Sequence, residues 1–301
     1  MNWNQLTQTI ISYKIAYKNY LKVLFELGKK RKASHNQNIN IKVLLRNGIK
    51  LIVPYTWVTT YANIIGLQNR ITNKNISGLN LSEKGISFKY KGHSVIIDPA
   101  KFSDLYAVFF NEEYSYLDVI GKDVIDVGMN IGDSSIYFAI NGANRVIGME
   151  PYPYAFSFAQ KNIKLNNIRN IILLNAGYGK DGSIIVSEEV STNSSSLIPS
   201  SKGKEIPIIS LKTLVNQYNL KNFVLKIDCE GCEYALLNEN NEIFQCIEMI
   251  QIEYHYGYEN IVNKLKSVGF DVRFTEPRNS YNPDAINPIM YLGYIYGQRQ
   301  K

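Results

Sequence analysis

The chain has 301 residues, of which 45% are hydrophobic and 20% charged, with a formal net charge of +7. That is the balance of a soluble globular protein, long enough for one large domain plus an extension. No apolar run reaches the length of a membrane span and the N-terminus lacks an apolar signal core, while three cysteines, an odd number, argue against a disulfide framework and fit a reducing, cytoplasmic setting.

The positive charge is unevenly placed. Residues 1–50 hold ten Lys/Arg against a single acid, Glu26, so the rest of the chain is close to neutral. Trp3, Leu6, Ile10, Tyr13, Tyr17, Tyr20 and Leu24 recur three and four apart, which predicts one amphipathic helix of about three heptads. Lys14, Lys18 and Lys22 follow another face, and Gly28-Lys29-Lys30-Arg31-Lys32 ends the helix in a basic cluster suited to its dipole. Three uses compete for this arm, residues 1–33: packing on its own domain, a helix in a dimer, or peripheral contact with a membrane surface.

Residues 34–100 read as a small β-rich subdomain. Ile41–Leu45, Gly48–Val53 and Ile86–Tyr90 have strand character, and Asn47-Gly48 and Lys91-Gly92 are turn signals. A third domain is expected over 101–301. It opens with a predicted helix, Lys101–Leu117, whose aromatics serve packing or line an acceptor pocket.

Val124–Pro151 carries the strongest signal. Val124-Ile125-Asp126-Val127 is a strand buried on both faces; Gly128 ends it and Gly132 follows. Asp133 is placed to cap a helix over 134–140, Asn141-Gly142 stops it, and Val146-Ile147-Gly148-Met149 is a second strand ending on Glu150. Glycines let backbone approach a ligand, the helix start offers free N–H groups, and an acid on the second strand tip can accept both ribose hydroxyls. The spacing is G-x-x-x-G, with Asn130 inside it, and not the G-x-G-x-x-G of a dinucleotide site. Asp126 would repel a pyrophosphate but suits the cationic methionine end of S-adenosylmethionine. The plain alternative is a βαβ unit whose glycines serve packing only.

Strands and helices then alternate. A helix is predicted over 154–166 and a strand over 171–174, ending at Asn175-Ala176. A hairpin of 183–187 with 206–210 flanks a Ser-rich loop, 191–204. Phe223–Ile227 is a strand ending at Asp228, and another ends near His255. This is a doubly wound, mostly parallel α/β sheet, whose ligands gather at the C-terminal strand ends.

These motifs resemble the FkbM family of S-adenosylmethionine-dependent methyltransferases. The resemblance rests on Asp126-Val127-Gly128-Met129-Asn130-Ile131-Gly132-Asp133-Ser134, Glu150-Pro151, Asn175-Ala176, Ser194-Ser195-Ser196-Leu197 and Lys226-Ile227-Asp228-Cys229-Glu230-Gly231-Cys232-Glu233. It spans about residues 120 to 274. Met129 departs from it, because a small residue usually follows the first glycine. The resemblance implies a seven-stranded, Rossmann-like class I methyltransferase fold and methyl transfer, commonly to a hydroxyl of a sugar, glycolipid or secondary metabolite. It implies that Asp126, Gly128, Asn130 and Gly132 cradle the methionine part, with Ser134 also on the cofactor, that Glu150 holds the ribose and that Asn175 and Ala176 flank the adenine. Asp228 is implied beside the methyl donor or the acceptor.

Transfer to oxygen requires removal of the hydroxyl proton. Asp228, Glu230, Glu253 and His255 are candidate bases, His255 with an ordinary pKa of about 6.5. Lys226 lies two before Asp228, on the same strand face, and is expected to serve there or to pair with a carboxylate. Asp228, Glu253 and His255 also offer ligands to a hard divalent cation, although carboxylates that only hold loops read equally well. Cys229-x-x-Cys232 lacks the second pair a zinc site needs and is expected to pack as small residues. A short-chain dehydrogenase is excluded because no Tyr-x-x-x-Lys occurs. A nucleic-acid methyltransferase would explain the basic arm but tends to carry Asn-Pro-Pro-Tyr where Lys-Ile-Asp-Cys-Glu-Gly stands. A non-catalytic nucleoside-binding module would be expected to lose the strand-end acids, which are present.

Overall fold

The computed structural model describes residues 3–31, 39–67, 72–99, 105–188, 197–282 and 287–300. The chain forms two compact units, Met1–Asn111 and Glu112–Lys301.

The first unit contains α1 (Trp3–Ala16), α2 (Tyr20–Arg31), β1 (Asn40–Leu44), β2 (Lys50–Pro54), α3 (Tyr55–Leu67), β3 (Ile76–Ser82), β4 (Gly85–Tyr90) and β5 (His93–Ile97). The expected single N-terminal helix is broken at Tyr17–Asn19. Lys18 donates its backbone N–H to Leu44 O (2.7 Å), and Asn19 bonds Lys42 O and the Leu44 N–H through its side chain. Bonds to β1 thus replace the missing helical bonds, and the helices are built into the unit instead of forming a separate arm. Tyr13 reaches Thr59 and Tyr17 reaches Val58 O on α3, each at 2.6 Å.

β1 and β2 form a hairpin that buries Ile41, Val43, Leu51 and Val53 on one face, the period-2 pattern of a half-buried ribbon. β3, β4 and β5 form an antiparallel meander. Helix α3 was not expected: Tyr55-Thr56-Trp57-Val58-Thr59-Thr60-Tyr61 is β-branched and aromatic, and burial of Trp57, Val58, Tyr61 and Ala62 overrides that local preference. Of the helix expected over 101–117, the described residues form a wide helical turn at Tyr106–Phe110, and Glu112, at φ 50, stops it. Phe109 and Phe110 pack on Phe88, 5.2 and 5.4 Å between ring centroids, so this turn belongs to the first unit, which runs past the boundary expected at residue 100. Residues 100–104 lie outside the described residues.

The second unit contains β6 (Asp123–Val127), α4 (Asp133–Ile140), β7 (Arg145–Met149), α5 (Pro153–Leu165), β8 (Ile171–Leu174), β9 (Gly177–Tyr178), β10 (Gly182–Val186), β11 (Lys204–Ile209), α6 (Leu211–Tyr218), β12 (Phe223–Ile227), α7 (Asn241–Phe244), β13 (Ile247–Tyr254), α8 (Glu259–Ser267), β14 (Phe270–Phe274), β15 (Arg278–Tyr281) and β16 (Ile289–Arg299). Its main sheet runs β14-β16-β13-β12-β6-β7-β8, with β15 added beside β16. β6, β7, β8, β12 and β13 are parallel, and β16 is antiparallel to both neighbours. This is the expected doubly wound, Rossmann-like order with its switch point between β6 and β12. β12 is buried at every position, as a central parallel strand must be. β10 and β11 pair as the expected hairpin. Ser194, Ser195 and Ser196 lie outside the described residues, while Leu197 packs against Tyr152, Val186 and Ile206.

Candidate active site

The switch point brings together the loop after β6, the tip of β7 and the ends of β12 and β13. Gly128 sits at φ +76 with its backbone against Asp228, where a Cβ would lie 1.8 Å from the Asp228 carbonyl oxygen. Only glycine fits both constraints. Gly128 and Met129 donate their N–H groups to Met149 O, each at 3.0 Å, and Asp228 donates to Val127 O at 3.1 Å. The turn is therefore stitched to the strand tips on both sides. Gly132, at φ +84, caps α4 and lets it approach Ala159 on α5, where a Cβ would meet carbon at 3.2 Å. Met129 is fully buried. Its sulfur fills the space beside Gly148, where a Cβ would lie 2.5 Å away. The bulk that departs from the family pattern is accommodated by an absent side chain on the next strand.

Asp126 lies under this turn, fully buried. It is the register neighbour of Lys226 on β12, with Lys226 Nζ 3.0 Å from its carboxylate. Ser134 and Ser135 donate to its other oxygen at 2.7 and 2.6 Å. Lys226 also donates to Gly128 O at 2.8 Å and Val127 O at 3.2 Å. Burial pulls the Lys226 ammonium down, but the Asp126 and Asp228 charges outweigh it and hold the group above its usual range. Asp126, Ser134 and Lys226 thus form a buried polar brace beneath the turn, and Lys226 takes the pairing role foreseen for it.

Glu150 is nearly buried at the tip of β7. One oxygen accepts the Tyr152 N–H (2.9 Å) and the other the Asn130 N–H (3.1 Å). Asn130 adopts a left-handed φ of 48 to make that contact. Burial pushes the Glu150 carboxyl up to about 8, against the pull of the two N–H groups. Each oxygen keeps a further lone pair, so the group retains acceptor capacity for two hydroxyls. Asn175 spends its amide on Glu150 O and Pro151 O, both at 2.9 Å, and accepts from Lys204 at 2.8 Å. It braces the turn after Glu150, and Ala176 lies in the core.

Beyond Asp228 the chain turns sharply through Glu230 (φ 57) and Gly231 (φ 118). This brings the Cys229 and Cys232 Cα atoms to 5.5 Å, and the two sulfurs form a disulfide. The reading of both as reduced packing residues is corrected: a left-handed pair inside C-x-x-C, not cysteine number, decides the pairing. Cys246 is the remaining thiol. Glu233, fully buried, accepts the Gly231 N–H at 2.8 Å, the His255 N–H at 2.9 Å and His255 Nδ1 at 3.0 Å. Glu230 lies 3.4 Å from His255 Nε2. Burial lowers a histidine, yet these two carboxylates hold His255 well above its ordinary value. The expectation of a base titrating near 6.5 is therefore corrected upward, because both ring nitrogens face acids that favour the charged form of the ring. Glu233 was missed as a partner: its place in the acidic run is visible in sequence, its reach to residue 255 is not.

Asp228, Glu253 and His255 each present an atom within 4.8 Å of the others. Burial and then the Asp228 charge push Glu253 up. Tyr114 is buried with its hydroxyl 3.5 Å from Asp228 and its ring 5.4 Å from Lys226 Nζ. It is one of the aromatics named from sequence, and it closes one wall of the crevice. The geometry thus pairs a glycine turn and a strand-tip acid with a carboxylate pair one strand away.

The family model described as the Methyltransferase FkbM domain matches residues 126–272, from Asp126 on β6 to β14. Those residues are an FkbM methyltransferase domain. Its fold is the mostly parallel, Rossmann-like sheet described above. Over 80 residues the chain is 36% identical to a Methanocaldococcus jannaschii protein bearing the name of a protein N5-glutamine methyltransferase. That match covers 27% of this chain and 38% of the relative, so the chain spans well under half of that protein's length. Among solved structures, M. jannaschii TYW2 in complex with AdoMet aligns with a TM-score of 0.39 and 16% identity, over 76% of this chain and 92% of that one. The precorrin-6y C5,15-methyltransferase of Geobacter metallireducens aligns with a TM-score of 0.38 and 13% identity, over 66% and 94%. Among the described residues, no helix of the chain is long and apolar enough to cross a membrane.

Proposed function

We propose that the FkbM domain methylates a hydroxyl oxygen of a sugar, glycolipid or secondary metabolite. When bound, S-adenosylmethionine supplies an electrophilic methyl group on a cationic sulfur. In this reading Glu150 accepts the ribose hydroxyls, and the Gly128–Gly132 turn, with its backbone N–H groups, borders the methionine part. Asp228 and Glu253 face the acceptor. The observation that supports the reading most is the grouping of Asp228 with Glu253 within 4.8 Å, with the Tyr114 hydroxyl 3.5 Å from Asp228 and the Asp228 backbone against Gly128. A hydroxyl is too weak an acid to attack unaided. Asp228 would take its proton and keep it on the carboxylate pair, while bound S-adenosylmethionine would supply the methyl group and its sulfur would become a neutral thioether. His255, between Glu230 and Glu233, keeps both carboxylates in place.

A second reading, transfer to an amide nitrogen, draws on the name of the M. jannaschii relative. Two carboxylates, Asp228 and Glu230, follow β12 here, a setting better suited to taking a proton than to holding a neutral amide. The test is single-turnover methylation with calorimetric S-adenosylmethionine binding measured in parallel. Asp228→Asn and Glu253→Gln should lose about 10²–10⁴ in rate while cofactor affinity stays within a factor of two to three. A full rate in Asp228→Asn would overturn the base assignment. Loss of wild-type activity in EDTA, restored by Mg²⁺, would instead assign Asp228, Glu253 and His255 to a cation.

A further inference from the structure

The first unit carries a surface outside the residues assigned to the candidate active site. α1 and α2 bury one face each: Tyr13, Ala16 and Tyr17 on α1, Val23 on α2. Their outer faces are apolar as well. Ile11 and Ile15, one turn apart on α1, are 51% and 50% exposed, and Leu21 and Phe25, one turn apart on α2, are 68% and 63% exposed. Lys14, Lys22 and Lys29 are exposed on the same two helices and Lys18 on the turn between them, and the Lys29 ammonium lies over the Phe25 ring at 4.4 Å. The one acid in this stretch, Glu26, is half-buried. Single exposed apolar side chains are ordinary, but two such pairs among lysines on two successive helices are not.

We infer that the outer face of α1 and α2 docks on an anionic membrane surface. Leu21, Phe25, Ile11 and Ile15 enter the headgroup boundary while the lysines meet lipid phosphates, the division of labour of an interfacial amphipathic helix. Charge selects this occupant over others. A second copy of the chain would bring lysine rows against lysine rows in a symmetric contact. A nucleic acid would satisfy the lysines but leave four large apolar side chains facing phosphate and water. The inference does not depend on the acceptor assigned above.

Vesicle flotation of the full chain tests it, using phosphatidylcholine vesicles with and without phosphatidylglycerol. Binding should require the anionic lipid and weaken with salt. Leu21→Ser with Phe25→Ser, both exposed and so neutral to folding, should reduce the partition coefficient at least tenfold. Lys18→Glu with Lys22→Glu should reduce it by more than the fivefold or so expected for each lysine lost. Circular dichroism and cofactor binding should be unchanged in both variants. Absence of vesicle binding by the folded wild-type chain overturns the inference. So does binding that both variants retain. Self-association by light scattering, or RNA binding, abolished by the same substitutions in place of vesicle binding would assign the face to that occupant instead.

Discussion

Asp126 and Lys226 show how one contact decides the meaning of several residues. Asp126 two positions before Gly128 reads in sequence as a ligand for a cationic cofactor. In the fold it is the in-register neighbour of Lys226, and the pair is sealed from water. An isolated charge there would be costly, so each residue requires the other. Lys226 also bonds the Gly128 carbonyl, so the pair holds the turn from below. Lys226→Met should therefore destabilise the domain by about 3–5 kcal/mol, because it leaves the Asp126 carboxylate buried and unpaired. Asp126→Asn with Lys226→Met should cost less than the two single changes combined. Urea melts of the three variants check this, and strict additivity would show that the two groups act independently. The pairing was not readable in sequence because it depends on the register of strands about a hundred residues apart. The same limit hid the Glu233–His255 contact, whereas Gly128, Gly132 and Glu150 were legible because strand, turn and helix signals fall in one short stretch.

At the scale of elements, β6, α4 and β7 form as the sequence predicts, since their apolar runs and glycines are local signals. α3 and the break between α1 and α2 do not follow local signals. Aromatic burial makes a helix from strand-prone residues, and side-chain bonds from Asn19 to β1 interrupt a helical periodicity. The fit between Met129 and Gly148 is of the same non-local kind, joining the turn after β6 to the interior of β7. Gly148→Ala should overpack this contact, because the new methyl group would fall within 2.5 Å of the Met129 sulfur and 2.8 Å of Ser135 Oγ. The expected cost is about 1–3 kcal/mol. Shortening Met129 to Ala in the same chain should recover part of it, since the added carbon would then occupy vacated space. Thermal melts of the single and double variants decide the point, and a double variant no more stable than the sum of the singles would separate the two residues.

Across the whole molecule the buried ionisable groups set the direction in which pH acts. Glu150 titrates in the folded state at about 8, above its ordinary 4.5, and Glu253 is raised as well. A carboxyl with a raised folded pKa is bound more tightly to its proton in the native state, so stability falls as pH rises from the unfolded value toward the folded one. His255 pulls the same way: its raised pKa contributes stability that is complete below 6.5 and is lost as pH rises through the folded value. The unliganded protein should therefore melt at a higher temperature near pH 5.5 than near pH 8.5, until acid titrates its other carboxylates. S-adenosylmethionine should act in the opposite sense. An ionised Glu150 is the better acceptor for ribose hydroxyls, and ionisation becomes complete only above pH 8. Cofactor affinity should rise across pH 6–9, and the melting shift produced by a fixed cofactor concentration should grow with it. Glu150→Gln should flatten that dependence and weaken binding by about 1.5–3 kcal/mol, the usual loss for hydrogen bonds to a charged group. A cofactor-induced shift that stays constant across this range in the wild-type chain, or keeps its slope in Glu150→Gln, would remove Glu150 from the ribose and leave it a brace for Asn130 and Tyr152.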